Sequence, residues 1–224
     1  MNFAPELSAA DRQVISGWWQ AFLARPDAMP DGLEIVQSRL IRAVGRGRLP
    51  DSGTVYAKLM GFPRFRDRLR YVHRALPATH EARLLRRLAA AGLACPEVLA
   101  VAGARRALRV PRASLLVTRA LPGEVGVLPF AEAATFAARL AAVGLFHPDL
   151  NQGNFARLES GEAAVLDLQS ARWPSDRSLS EAARMVMATK LLHEFGAGAR
   201  PEVLVSAGLV ALSLIHISEP TRPY

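Results

Sequence analysis

Apolar positions recur at helical spacing near the start of the chain. Val14, Ile15, Trp18, Phe22 and Leu23 share one side of a helix over residues 7–24, and Ser8 is placed to cap it. From Leu33 to Met60 the pattern changes to strand, turn, strand, with the break supplied by Gly45-Arg46-Gly47-Arg48-Leu49-Pro50-Asp51-Ser52-Gly53. A helix opened by Pro63 is expected from Phe62 to Leu76, carrying Phe65, Leu69 and Val72 on one side. A second runs from Thr79 to Ala91 and is closed by Gly92. Short strands follow at Glu97–Val101 and Ser114–Thr118, then a turn at Leu121-Pro122-Gly123.

Beyond that turn the pattern is helical. One helix spans Phe130–Val143 and stops at Gly144. A polar loop, His147–Asn154, leads into two strands, Phe155–Leu158 and Ala163–Leu168, joined by Glu159-Ser160-Gly161. A last helix covers Ser180–Phe195. A strand-rich half followed by a helix-rich half predicts an α+β, bilobal chain. The expected organisation is a helical extension over 1–32, a small lobe over 33–120, a larger lobe over 121–212 and a separate tail over 213–224.

The tail differs from the rest. Ser213–Tyr224 holds two isoleucines, against three in the preceding 212 residues, and resembles translated adapter sequence at the end of a gene model. On that reading the helical lobe lacks its final helices. The lone cysteine, Cys95, excludes an internal disulfide and suits a reducing compartment. No apolar run reaches the roughly 20 residues needed to span a bilayer, and the N-terminus has no secretory pattern. The expected location is the cytoplasm, with peripheral contact at the inner membrane.

Charge narrows the partners. The net charge is +8, and residues 42–119 carry 17 basic side chains against four acids, Asp51, Asp67, Glu81 and Glu97. Such a field concentrates anions: nucleotides, anionic lipid surfaces, phosphorylated glycans or nucleic acid. No zinc-finger spacing or aromatic ribonucleoprotein signature accompanies it, so nucleic acid is not the expected partner. Only two of the 28 basic residues are lysines, Lys58 and Lys190. A chain that writes arginine almost everywhere keeps lysine where a compact ammonium is needed.

The chemistry-bearing motif is Leu145-Phe146-His147-Pro148-Asp149-Leu150-Asn151-Gln152-Gly153-Asn154, followed by Ala164-Val165-Leu166-Asp167-Leu168-Gln169. Phosphoryl transfer needs a carboxylate beside the attacking hydroxyl and oxygen ligands that hold Mg²⁺ against nucleotide phosphates. His147, Asp149 and Asn154 have the His-x-Asp-x-x-x-x-Asn spacing of a kinase catalytic loop, and Asp167 ends a later strand as a metal-binding aspartate would. The other reading of the same residues is a polar turn. Upstream, Val55-Tyr56-Ala57-Lys58 matches the strand whose lysine contacts the α- and β-phosphates, and Glu81 is the one acid on the next well-formed helix. Thr118-Arg119-Ala120-Leu121 would lie between the lobes, with backbone groups toward adenine. Gly45-x-Gly47 stands where a phosphate-covering loop would be, but position 50 is proline, and a plain hairpin turn is the alternative.

These stretches, together with Phe65–Arg70, Glu81–Leu88, Ala91-Gly92-Leu93, Pro96 and Leu115–Leu121, resemble the lipopolysaccharide kinase family over residues 33–195. The resemblance implies a protein-kinase-like fold and phosphorylation of Kdo or heptose in the inner core. It implies Asp149 as catalytic base in a loop with His147, and Asn154 and Asp167 as Mg²⁺ ligands. Lys58 paired with Glu81 would serve ATP, aided by Arg119, Leu121, Gly45 and Gly47. Pro148 replaces the arginine of regulated protein kinases, and Asp167-Leu168-Gln169 lacks the Phe-Gly of the usual triplet. A small-molecule or glycan hydroxyl therefore suits the chain better than a peptide. Two alternatives remain open: a phosphotransferase for a soluble aminoglycoside, choline or sugar amine, and a non-catalytic basic binding module. The basic stretch Arg64–Arg74, with Phe62, Phe65, Leu69 and Val72, either packs into the small lobe or lies on an anionic membrane.

Overall fold

A computed structural model describes residues 1–39, 41–174 and 177–211, so the tail over 213–224 lies outside the described residues. The chain divides into two units, Met1–Ala90 with Pro96–Leu121, and Ala91–Cys95 with Pro122–Tyr224.

The first unit is built on an antiparallel sheet of six strands. They are β1 (Asn2–Phe3), β2 (Leu33–Arg39), β3 (Arg42–Leu49), β4 (Gly53–Gly61), β5 (Val98–Arg105) and β6 (Pro111–Arg119), in the spatial order β1-β5-β6-β4-β3-β2. Helix α1 (Ala9–Ala24) starts where expected, with the Ser8 hydroxyl accepting the Asp11 N–H at 3.1 Å. Its apolar stripe, Ile15, Trp18, Trp19 and Phe22, packs on Leu49, Val55 and Leu115 of the sheet. Residues 1–32, read from the sequence as an extension, thus contribute to the core of this unit. Helix α3 (Pro77–Ala90) buries Leu84, Leu85 and Leu88 along one side.

Two expectations change here. The break placed at Gly45–Gly53 is really two features: a turn at 50–52 and an earlier one between β2 and β3. Gly45 and Gly47 lie inside β3, paired with Ile35 and Leu33 on one side and with Ala57 and Val55 on the other. They do not form a phosphate loop. A Cβ on Gly47 would stand 2.7 Å from Leu33 Cδ2 and 2.9 Å from Trp18, and one on Gly45 would stand 3.0 Å from Met29 Sδ. The glycines are there because Trp18 and Leu33 press onto the strand, leaving no room for a side chain. The helix expected over Phe62–Leu76 is shorter, α2 (Phe65–Tyr71), and buries none of its residues.

The turn between β3 and β4 is tied to α1 by a side chain the sequence reading passed over. Asp11 is fully buried on α1 and accepts the Asp51 N–H at 3.0 Å and the Ser52 hydroxyl at 2.5 Å. Burial works to raise its pKa. The hydrogen bonds from Asp51 and Ser52, with the positive charge of Arg119, outweigh it and hold the carboxyl below its ordinary value.

The second unit contains α4 (Phe130–Ala142), α5 (Glu181–Phe195), α6 (Pro201–Ser206) and a small antiparallel sheet in the order β7-β8-β9, with β7 at Gly123–Val125, β8 at Phe155–Leu158 and β9 at Ala163–Val165. Helix α4 ends before Gly144, whose φ of 87° suits a left-handed terminating residue. Phe136 of α4 meets Phe155 of β8 edge-on at 6.4 Å, and Phe130 meets Phe195 of α5 at 5.4 Å. These contacts pack α4 against β8 and against α5. The chain is α+β, with a strand-rich first unit and a helix-rich second unit.

Candidate active site

In the first unit, Lys58 sits at the middle of β4, opposite Val44 of β3 and Leu116 of β6. Its Nζ lies 2.5 Å from Glu81 Oε1 on α3. Glu81 is buried, whereas the Lys58 side chain keeps 19% of its exposure. A buried carboxylate thus steers a partly accessible ammonium, which can act as an oriented point charge. Arg119, at the end of β6, is committed to the scaffold. Its Nε donates to Glu97 Oε2 at 2.6 Å, Nη1 donates to the Ser52 carbonyl at 2.8 Å, and its own N–H donates to the Glu97 carbonyl at 2.9 Å. The Ala120 N–H donates to the Thr54 carbonyl at 3.0 Å. Neither N–H is left to read a base, so the adenine-facing role expected of Arg119 does not extend to its N–H or its guanidinium. Leu121 is the last residue of this unit and is partly exposed.

In the second unit, the loop between α4 and β8 brings His147, Asp149, Asn154 and Asp167 into one hydrogen-bonded group. Leu166 N–H donates to the Asn154 carbonyl at 3.0 Å, which sets Asp167 beside the loop. His147 is fully buried. The Asp149 N–H approaches its Nδ1 at 3.3 Å, so Nδ1 accepts, and Nε2 at 2.6 Å from the Asp167 carbonyl then donates. Burial lowers the His147 pKa against the opposing pull of Asp167 and Asp149, favouring this neutral tautomer. With both ring nitrogens used and no exposure, His147 cannot touch a reactant. The catalytic role expected of it becomes a positioning role, clamping the loop to the strand end.

Asp149 is the member that faces outward, with 59% of its side chain exposed. Its carbonyl accepts Asn154 Nδ2 at 2.7 Å, which fixes the Asn154 amide. Asp167 Oδ1 accepts the Gln169 N–H at 3.2 Å, closing a tight turn after β9. Asn154 and Asp167 offer hard oxygens of the kind Mg²⁺ takes. Among the described residues no group of three or more His, Cys, Asp or Glu could hold a metal on its own. The oxygens of Asn154 and Asp167 alone are fewer than a protein cage for a metal needs.

One further residue belongs to this group. Lys190 of α5 places Nζ 3.2 Å from Asp149 Oδ1 and 2.7 Å from Glu194 Oε1. The hydrogen bond to Glu194, then the one to Asp149, raises its pKa, so it stays protonated. The sequence carried a signal for it: Lys190 and Lys58 are the two lysines of the chain, and each is paired with a carboxylate in its own unit.

No family model matches the chain, and no curated protein matches it. Among solved structures the chain is similar to one described as a high-resolution crystal structure of WbdD, with a TM-score of 0.46 and 16% sequence identity. The match covers 68% of this chain and 35% of that one, so the chain spans about a third of its length. The six-stranded antiparallel sheet with its α3 ion pair and the helical unit bearing the His147–Asp167 group are the two units of an α+β chain.

Proposed function

We propose that this chain is an ATP- and magnesium-dependent phosphotransferase with an alcohol acceptor, and that the acceptor is a Kdo or heptose hydroxyl of the lipopolysaccharide inner core. The observation that carries this reading is the His147 clamp between the Asp149 N–H and the Asp167 carbonyl, which fixes two carboxylates and an amide as one group. Bound Mg²⁺-ATP would supply the phosphoryl group and the charge compensation for its transfer. Asp149 accepts the proton of the attacking hydroxyl, and Asn154 and Asp167 present oxygens to the metal. Lys58, oriented by Glu81, takes the α- and β-phosphates.

The preference for a glycan over a peptide is supported by the segment after Asp167. It turns at once through the Asp167–Gln169 hydrogen bond, and α5 begins at Glu181, so a short stretch replaces an activation segment. The excess of arginine over residues 42–119 suits an acidic, phosphorylated glycan better than a cationic aminoglycoside or choline.

The test is thermal melting with and without Mg²⁺-ATP, on the wild type and on Asp167→Ala. A ligand at about 100 times its Kd stabilises a folded site by about 2.7 kcal/mol. A shift that needs Mg²⁺ and is lost in the variant supports the site. A folded wild type with no shift would sink the reading. Labelled ATP offered with inner-core glycan, aminoglycoside and choline then separates the acceptors.

A further inference from the structure

Helix α2 is attached to its unit by one end. The Tyr71 ring meets that of Phe62 at 5.3 Å, tilted by 57°, beside Met60 and Leu76, and Arg68 donates to the Phe62 carbonyl at 2.7 Å and the Pro63 carbonyl at 3.0 Å. So anchored, the helix turns its other apolar residues outward: Phe65 is 70% exposed and Leu69, one turn on, is 57% exposed. The turn between β5 and β6 adjoins it. Arg105 Nη1 donates to the carbonyls of Tyr71 at 2.9 Å and Arg109 at 2.6 Å, and Nη2 donates to that of Arg74 at 2.7 Å. One guanidinium thus ties the end of α2 to the turn. At the tip, Leu108 and Arg109 have φ of 56° and 59°, a left-handed backbone that disfavours both residues, and Leu108 is 88% exposed.

Residues 62–74 and 105–112 hold nine arginines and a single acid, Asp67. Arg68, Arg106 and Arg112 also line a cleft of about 730 Å³ with Phe22, Leu23 and Ile41, so charge and apolar surface continue together away from the helix. We propose that α2 and the 105–110 turn form a contact surface for an anionic lipid bilayer. Phe65, Leu69 and Leu108 enter the headgroup boundary, and the positive charge of the surrounding arginines draws the surface to lipid phosphates. A second copy of the chain is disfavoured, because nine arginines would meet nine. Nucleic acid would use the arginines but gain nothing from exposed Leu69 and Leu108. A strained backbone that holds a leucine in water is explained by a surface that takes the leucine up. This inference does not depend on the phosphotransferase reading.

The experiment is co-sedimentation of the full chain with vesicles of phosphatidylcholine alone, and of phosphatidylcholine with phosphatidylglycerol in equal parts. The wild type should pellet with the anionic vesicles and remain in solution with the neutral ones. The triple variant Phe65→Ser, Leu69→Ser, Leu108→Ser should partition at least about tenfold less, with an unchanged melting temperature because all three side chains are exposed. Leu108→Gly should melt higher, since glycine accepts the left-handed backbone, and bind vesicles more weakly. Two outcomes overturn the proposal. One is a wild type that ignores anionic vesicles. The other is a triple variant that binds as the wild type does. Single-stranded RNA titrated at the same salt reports the alternative: RNA binding that the triple variant retains, with no vesicle binding, assigns the surface to nucleic acid.

Discussion

The Lys190 ammonium bridges Asp149 and Glu194, so the exposed carboxylate at the tip of the His147–Asn154 loop is held from a helix far along the chain. On the proposed reading this cation orients the base and offsets the negative charge gathering beside it. Lys190→Ala should lower the turnover number about tenfold to a hundredfold, the range for removing a residue that orients a reacting group, with little change in KM for ATP. Lys190→Arg should recover only part, because a planar fork does not replace a compact bridge between two carboxylates. Steady-state kinetics decide. A raised KM with unchanged turnover would make Lys190 a binding residue instead.

His147 gives the loop a pH dependence. Its folded pKa is lowered by burial, so the folded state binds its proton less readily than the unfolded state does. Its contribution is therefore present above the unfolded value of about 6.5 and is lost as pH falls through the lower folded value. Wild type should exceed His147→Gln in stability by about 1–3 kcal/mol at neutral pH, the cost of disturbing a buried hydrogen-bonded group. Urea midpoints measured at successively lower pH should show that gap narrowing; a constant gap would contradict the neutral buried imidazole.

Gly47→Ala should destabilise the fold by about 1–3 kcal/mol, because the added methyl would sit 2.7 Å from Leu33 and 2.9 Å from Trp18. The stabilisation gained from Mg²⁺-ATP should stay as in the wild type. Melting curves with and without nucleotide separate the two effects. A variant of normal stability that no longer responds to nucleotide would return Gly47 to a phosphate loop.

Asp11 acts on the same acid side as His147, but at lower pH. Its folded pKa lies below the unfolded value of about 3.9, so its contribution is present above that pH and disappears as pH falls through the folded value. Asp11→Asn should be less stable than wild type by about 1–3 kcal/mol at neutral pH, and the two should converge in strong acid. Calorimetry across that range is the check, and a pH-independent difference would count against the ion.

Much of this was legible in the residues because it is local. The cap Ser8 with its apolar stripe, the helix ends at Gly92 and Gly144, and the spacing of His147, Asp149 and Asn154 all act over a few neighbours. Gly45 and Gly47 misled for the complementary reason. Glycine pairs mark turns or close approach, and the approaching Trp18 belongs to a helix remote in sequence. Asp11 resisted reading likewise: it looks like a first-turn acid on α1, yet its partner Ser52 is 41 residues away. Lys190 left a trace only as a lysine kept among arginines. Nothing nearby in sequence names Asp149 as its partner.

The first residues of the chain guard the rest of it. Asn2 and Phe3 pair with Val101 and Ala100, and the Ala4 N–H donates to the Leu99 carbonyl at 2.8 Å, so β1 covers the flank of β5. Without that cover, Val98-Leu99-Ala100-Val101-Ala102 would offer an apolar run with open backbone groups, the kind of template that recruits strands from other molecules. The opposite flank protects itself, since β2 carries a bulge between Ile35 and Gln37 that spoils such pairing. Each margin of this sheet thus carries its own barrier to edge-to-edge pairing, two residues at one and an irregularity at the other.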